Sequence, residues 1–253
     1  MPQSAQISTA AALIIGNEIL SGRTQDANLN VIAKKLMSIG IRFLEARVIP
    51  DVEDEIISAV NALRHRYTYV FTTGGIGPTH DDITALSIAK AFDLPLIEHP
   101  DARSRLLAYY TTANLNEARL RMARMPKGAA LIDNPISAAP GFQIGNVYVL
   151  AGVPNIMQAM MDDVATKLCH GPTILSTTIT TSVAESLIAE DLTNIANRYQ
   201  ALDIGSYPWF RSGQYGLSLV VRGIDAEAVK AATDAICNMI TIHGATPMIE
   251  PIP

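Results

Sequence analysis

In the first third of this chain, continuous apolar runs are followed by segments whose apolar residues recur at helical spacing. Runs of small, β-branched and aromatic residues predict buried strands at 10–15, 41–49 and 67–73. Segments with apolar residues at helical spacing follow each run, and they predict helices that begin near Leu29, Asp51 and Ile83. A β-α-β-α-β-α order is typical of a parallel sheet with helices on both faces. The predicted fold class is therefore α/β with a mostly parallel sheet.

The loops after these three strands carry most of the polar residues of the region. They are predicted at 16–28, 50–51 and 74–82, and each contains Asp or Glu. Because ligands of parallel α/β sheets bind beyond the carboxyl ends of the strands, we expect these loops to gather at one edge of the sheet and to form the site.

The rest of the chain predicts further elements and a domain boundary. The region 95–126 is predicted to be helical, with helices at 101–112 and 116–124. Strands at 131–135 and 141–150 and a Met-rich helix follow, and the breaker pair Gly171-Pro172 then predicts a boundary. The remainder has a β-α-β-β-α order, and its apolar tail (247–253) is expected to pack on a surface. We expect two domains, 1–170 and 172–253, the second a small α+β domain.

One loop has the composition of an anion-binding site. Three glycines in four positions follow the third strand, and polar residues (Thr79, Asp81 and Asp82) precede the next helical segment. Uncovered backbone N–H groups and the positive end of a helix dipole would converge where a phosphate could bind. The loop has neither the Lys-Ser/Thr of a P-loop nor the GxGxxG spacing of a dinucleotide-binding turn. From the residues alone, a structural βα turn remains the alternative.

Composition and charge argue against some classes of binding partner. The 253 residues are 49% hydrophobic and 17% charged, with a formal net charge of −5, so no basic surface for nucleic acid or acidic membranes is indicated. The two cysteines form neither a metal-ligand spacing nor a disulfide framework. The first residues, MPQSAQIS, do not resemble a signal peptide, and no apolar run approaches a membrane span. Five arginines between 103 and 124 are expected mostly on solvated helix faces. We expect a cytoplasmic homo-oligomer without nucleic-acid or membrane partners.

The sequence TTGGIGPTHDDIT (72–84) resembles the signature of the molybdopterin-binding MoaB/Mog fold, and its Pro78 and paired aspartates are most similar to the CinA (competence/damage-inducible protein A) branch. GNEILSGRTQDANLN (16–30) resembles the first loop of the family, and NPISAAPGFQIGNVYVLAGVP (134–154) its later strands. The C-terminal part is similar to the small KH-like domain of CinA. The chain stops before the deamidase domain of full-length CinA proteins, so that activity is not expected here.

The resemblance implies a set of site residues. It implies that Asp51 and Asp82 are catalytic and hold Mg²⁺ or a similar divalent cation, whereas a helix cap is the alternative for Asp51. Carboxylates are the ligands that Mg²⁺ prefers. The ligand-binding residues that we expect from the glycine loop, the first loop and the late loop are Thr73, Gly74, Gly75, Gly77, Glu18, Asp26 and Gly152.

Two positions depart from the family pattern. Ala85-Leu86 stands where the family usually has an acidic residue, and Ala151 stands where many members have Pro. The expected function is binding of a small phosphorylated ligand, molybdopterin or an adenine nucleotide, with Mg²⁺-dependent adenylyl or pyrophosphate chemistry linked to molybdenum cofactor biosynthesis. A CinA-type ADP-ribose pyrophosphatase and a non-catalytic binding module are the alternatives.

Overall fold

A computed structural model describes residues 8–110, 114, 116–211 and 213–250. The chain divides between Gly171 and Pro172 into two compact units. Within the described residues, no helix is both long enough and apolar enough to cross a membrane. The predictions that fall on residues 1–7, 111–112, 212 and 251–253 lie outside the described residues.

The first unit contains eight strands and seven helices in its described part. The strands are β1 (Thr9–Ile15), β2 (Arg42–Ile49), β3 (Tyr69–Thr73), β4 (Leu96–Glu98), β5 (Arg124–Pro126), β6 (Ala130–Ile132), β7 (Gly141–Ile144) and β8 (Val147–Leu150). The helices are α1 (Asn17–Leu20), α2 (Asn28–Ser38), α3 (Glu53–Arg66), α4 (Thr84–Ala91), α5 (Pro100–Tyr109), α6 (Glu117–Arg121) and α7 (Pro154–Lys167).

Six of these strands form one sheet in the order β2-β1-β3-β8-β7-β6. The pairs β1–β2, β1–β3 and β3–β8 are parallel, whereas β7 and β6 join antiparallel. This mixed, mostly parallel sheet confirms the predicted fold class. The carboxyl ends of four parallel strands therefore point to one edge of the sheet.

Both faces of the six-stranded sheet are covered by apolar side chains. Alternate residues of the strands enter different clusters: Leu13 and Val70 pack with residues of α3 and α4, whereas Ala10 and Phe71 pack with residues of α2 and α7. Strand β1 (TAAALII) is almost wholly buried, as expected for a strand covered on both faces. Helix α3 has acidic residues in its first turn and basic residues in its last turn, an arrangement that complements the helix dipole.

The second unit is a smaller α+β unit. It comprises β9 (Leu175–Thr181), α8 (Glu185–Arg198), β10 (Asp203–Arg211), β11 (Gln214–Gly223), α9 (Ala226–Ile242) and β12 (Met248–Ile249). The strands pair in the order β10-β11-β9-β12, and all three pairings are antiparallel. Asp225 caps α9 by accepting from the N–H groups of Glu227 (3.0 Å) and Ala228 (3.2 Å). The β-α-β-β-α order predicted for this region is confirmed.

Three predicted elements are wrong in part. The region 95–126 is not wholly helical, because β4 and β5 pair in a separate two-stranded sheet; strands of three residues are too short to show a period of two. The third helix begins at Glu53 rather than at Asp51. Helix α4 begins at Thr84 and makes no side-chain cap hydrogen bond, so the polar residues before it are not its cap.

Candidate functional site

A cleft with a volume of about 520 Å³ lies where the four parallel strands end. We call it the glycine-loop cleft. Its lining includes Glu18 and Thr24 after β1, Asp51 after β2, residues 74–78 with Asp81 and Asp82 after β3, and residues 151–154 after β8. Asn134, Ser137 and Met160 are also part of the lining. The structure thus brings together Glu18, Asp51, Gly74, Gly75, Gly77, Asp82 and Gly152 from the sequence prediction.

The conformation of the glycine loop requires its first two glycines. Gly74 (φ 103°) and Gly75 (φ 66°) lie in the left-handed region, which L-residues with a side chain seldom adopt. A Cβ at Gly74 would lie closer than 3.0 Å to the carbonyl oxygen of Ile15, and one at Gly75 would collide with the Thr84 hydroxyl. The glycines let the loop pass against the end of β1 and against the start of α4.

Thr84 closes the loop, although it was not predicted as a site residue. Its buried hydroxyl donates to the Gly74 carbonyl at 3.0 Å, and its N–H donates to the Gly75 carbonyl at 3.0 Å. The first N–H of α4 is therefore occupied and is not available to a phosphate. The sequence signal for this role was the threonine that ends the 72–84 motif.

The glycine loop nevertheless presents backbone donors. Among the described residues, no acceptor forms a hydrogen bond with the N–H groups of Gly75, Ile76 or Gly77. Consecutive N–H groups around a left-handed residue form the concave sites that bind anions. The loop therefore has the uncovered backbone N–H groups that the sequence predicted for it.

The two aspartates of the loop share one hydroxyl group. The Asp82 carboxylate accepts from Thr79 N (2.7 Å), and the Thr79 hydroxyl lies 2.6 Å from both the Asp81 and the Asp82 carboxylates. The Thr79 hydroxyl holds the pKa of the exposed Asp81 carboxyl below its usual value, with smaller help from a backbone hydrogen bond. A hydroxyl has only one proton, so one of the two carboxylates keeps an oxygen free for another donor or for a cation.

Asp51 caps a helix other than the one expected. One of its oxygens, Oδ2, accepts from the N–H of Asn17 at 2.8 Å, at the start of α1 rather than of α3. This bond fixes the carboxylate beside Gly16, and the Glu18 carboxylate lies against the same glycine. Both carboxylates therefore line the cleft from the loops that follow β1 and β2.

Two predicted residues lie elsewhere. Asp26 accepts from the N–H groups of Asn28 (3.3 Å) and Leu29 (3.0 Å), so it stabilises the start of α2. Thr73 is buried at the end of β3. Neither belongs to the described lining of the cleft. Asn28 links the first loop to the late loop, because its side-chain amide donates to the Gly152 carbonyl at 2.8 Å.

The charge of the cleft suits a hard cation. Four carboxylates line it, from Glu18, Asp51, Asp81 and Asp82, and the described lining contains no lysine or arginine. The described residues contain no cluster of three or more His, Cys, Asp or Glu that could hold a metal by itself. Mg²⁺ commonly takes only one or two carboxylates and completes its shell with water and substrate phosphate. Asp51 and Asp82 therefore fit such an ion only together with a phosphate ligand.

Comparison with known proteins shows the family of the first unit and finds a similarity for the second. Residues 11–170 match the model of the probable molybdopterin binding domain, and residues 173–247 match that of the FAD synthase middle domain. A crystal structure of the protein CinA from Thermoplasma acidophilum aligns with a TM-score of 0.60 and 33% identity, covering 64% of this chain and 98% of that one.

Curated relatives extend over both units. A probable FAD synthase of Caenorhabditis elegans is 29% identical over 268 residues, which cover 96% of this chain and 52% of that protein. A protein of Sulfurisphaera tokodaii is 36% identical over 210 residues, which cover 79% of this chain and 80% of that protein. The chain spans about half the length of the Caenorhabditis relatives.

Proposed function

This chain belongs to the probable molybdopterin binding domain family, and on that premise we propose that its glycine-loop cleft binds a small molecule that bears a phosphate or a pyrophosphate. The ligand is molybdopterin or an adenine nucleotide. The observation that carries the proposal is the row of backbone N–H groups at Gly75, Ile76 and Gly77, which have no acceptor among the described residues and border a cleft of sufficient volume.

We propose Asp51 and Asp82 as the residues that hold Mg²⁺ or a similar divalent cation. Bound there, the ion would neutralise phosphate oxygens in adenylyl or pyrophosphate chemistry. The chain's own contribution is orientation. The Asn17 N–H fixes the Asp51 carboxylate and Thr79 fixes that of Asp82, while the N–H groups of the glycine loop bind the phosphate.

Adenylyl transfer is the reaction that the relatives favour. The Caenorhabditis relatives are named probable FAD synthase, and FAD is a diphosphate that joins an adenylyl group to a flavin phosphate. Hydrolysis of ADP-ribose, the CinA-type alternative, acts on the same kind of bond. A non-catalytic binding module is the third possibility, and it is favoured by Leu86 and Ala151 at positions where the family pattern differs.

A ligand panel tests the binding part of the proposal. Thermal unfolding would be measured with AMP, ATP, ADP-ribose, FAD and molybdopterin, each with Mg²⁺ and with a chelator. A ligand present at one hundred times its Kd adds roughly 2.7 kcal/mol of stability. We expect such a gain for at least one ligand and a smaller gain with the chelator. If no ligand raises the unfolding temperature, the binding proposal is wrong.

A pair of variants tests whether the protein is an enzyme or only binds its ligand. Asp82→Asn should lower turnover sharply, because the amide keeps an acceptor for Thr79 but loses the charge that a hard cation needs. Asp81→Asn is the matched control, since that carboxylate contacts the same hydroxyl from an exposed position. Hydrolysis of ADP-ribose and adenylylation of molybdopterin and of FMN would be assayed. If the parent protein binds ligand but is inactive in all three assays, the protein is a binding module and not an enzyme of these classes. Equal losses of turnover in the two variants would contradict the role of Asp82.

A further inference from the structure

A second, smaller pocket adjoins the glycine-loop cleft. Its volume is about 160 Å³, and Ile76, Gly77, Asp82 and Met122 line both spaces. We call it the arginine pocket, because its lining also contains Arg121 and Arg124. The glycine loop is thus bordered by two adjacent spaces rather than by one.

The two arginines are placed by the turn between α6 and β5. Backbone hydrogen bonds from Met122 to Arg119 and from Ala123 to Leu120 fix this turn. Arg121 ends the helix and Arg124 begins the strand, and both residues line the same pocket. Both residues are exposed, as the sequence predicted for most of these arginines, and both also line this pocket.

Within the described part of the chain, neither arginine has a carboxylate partner within 4.0 Å. Glu98 lies opposite Arg124 in the β4–β5 pair, but its carboxylate is 3.0 Å from Nε of Arg103. Asp82 is the only acid in the described lining of the arginine pocket. Its carboxylate already accepts from Thr79 N and lies 2.6 Å from the Thr79 hydroxyl. The described lining of the pocket thus contains two arginines and one aspartate, and the aspartate also lines the cleft.

The two spaces beside the glycine loop therefore differ in the charge of the residues that line them. The cleft side has four carboxylates and no basic residue in its described lining, whereas the pocket side has two arginines and a single shared aspartate. A cation is favoured on the first side and an anion on the second. Arginine binds phosphate oxygens through paired N–H donors. The pocket holds the volume of roughly five water molecules, which suits a phosphoryl group and is small for a nucleoside.

We infer that the arginine pocket receives a second phosphoryl group of the ligand in the cleft, so that the site selects diphosphates over monophosphates. The inference rests on the proposed function, because it assumes that a first phosphate lies on the glycine loop. The first phosphoryl group contacts the loop N–H groups and the cation held by carboxylates, and the second contacts Arg121 and Arg124. The apolar part of the pocket lining, Leu86, Leu96 and Phe142, makes a ring of the ligand the competing occupant.

Calorimetric titration with AMP and with ADP tests the inference, because the two ligands differ by one phosphoryl group. Both would be titrated with Mg²⁺ into the parent protein, the Arg121→Gln/Arg124→Gln variant and the Lys127→Gln variant. Lys127 is exposed, belongs to the same segment and is not part of the pocket lining, so its variant controls for the loss of nearby positive charge.

We expect the parent and the Lys127→Gln variant to bind ADP about tenfold or more tightly than AMP, since each charge-assisted contact to phosphate is strong. The double variant should lose this preference and keep the parent affinity for AMP within about twofold. A second double variant, Arg121→Lys/Arg124→Lys, retains the charge without the paired donors and should keep part of the preference. Far-UV circular dichroism would verify that each variant is folded.

Three results would overturn the inference. Equal affinity of the parent for AMP and ADP, or a preference that survives in the double glutamine variant, refutes the second phosphoryl site while leaving the proposed function intact. Loss of AMP binding in the double variant to the same extent as ADP binding points to a ring or a sugar in the pocket instead. Absence of binding for both nucleotides, with and without Mg²⁺, refutes adenine nucleotides as the ligand of the cleft and the inference with it.

Discussion

Replacing Gly74 by alanine tests the geometry on which the cleft depends. A side chain at this position meets two separate costs. The first is the left-handed backbone (φ 103°), which costs an L-residue about 1–2 kcal/mol. The second is the approach of the new Cβ to within 3.0 Å of the Ile15 carbonyl oxygen. That oxygen belongs to the backbone at the end of a buried strand and cannot rotate away.

A second glycine isolates the first cost. Gly22 has φ 73°, and a Cβ placed on it would meet no atom within 4 Å. Gly22→Ala therefore carries the backbone cost alone, offset by about 0.4–1 kcal/mol from the smaller entropy of the unfolded chain. We expect Gly22→Ala to lower the free energy of unfolding by roughly 1 kcal/mol. Gly74→Ala adds the cost of overpacking, about 1–3 kcal/mol, and should lose roughly 2–4 kcal/mol in total.

Urea unfolding followed by far-UV circular dichroism measures both variants under the same conditions. The slope with denaturant should match that of the parent, so that the difference in midpoint reports stability. If Gly74→Ala loses no more than Gly22→Ala, the loop does not pass as closely against β1 as described. The cleft would then not have the geometry described above.

Two further predictions concern individual hydrogen bonds. Thr84→Val should lower the free energy of unfolding by about 1–3 kcal/mol in the same urea assay, because the Gly74 carbonyl loses the hydroxyl donor. Thr84→Ser keeps the hydroxyl and should lose less stability. Equal losses in the two variants would contradict the role of that bond. The Tyr67 hydroxyl (2.6 Å) and then Arg47 hold the pKa of Glu45 below its usual value, so this stability is present above about pH 4.3 and is lost as the pH falls through the lowered pKa. The stability difference between the parent and Tyr67→Phe should shrink as the pH falls from 6 to 3, and a difference independent of pH would refute it.

The sequence predicted the first unit well where its periodicity was long. The strands before Gly16, Pro50 and Gly74 and the helix from Asn28 were found because each of these elements contains at least five residues. The glycine motif also indicated the right edge of the sheet. Strands β4 and β5 were missed, since three residues cannot establish a period.

The contacts of individual polar residues could not be predicted in the same way. The alternative role of Asp51 as a cap of the following helix is wrong, because its carboxylate accepts from Asn17, which is 34 positions away along the chain. Arg121 and Arg124 showed only a helical charge pattern, whereas the pocket that they line also contains residues from distant segments, such as Leu86 and Phe142. Secondary-structure propensity depends on neighbours in the sequence, so it does not predict contacts between residues that are far apart along the chain.

The central claim is that a phosphate-bearing ligand binds on the glycine loop, and backbone amide NMR tests it most directly. ADP-ribose with Mg²⁺ would be titrated into the ¹⁵N-labelled chain. The account predicts saturable shifts of the amide signals of Gly75, Ile76 and Gly77, which lack an acceptor in the described structure, and much smaller shifts when Mg²⁺ is replaced by a chelator. Saturable shifts confined to residues outside the cleft, with these three signals unmoved, would contradict it.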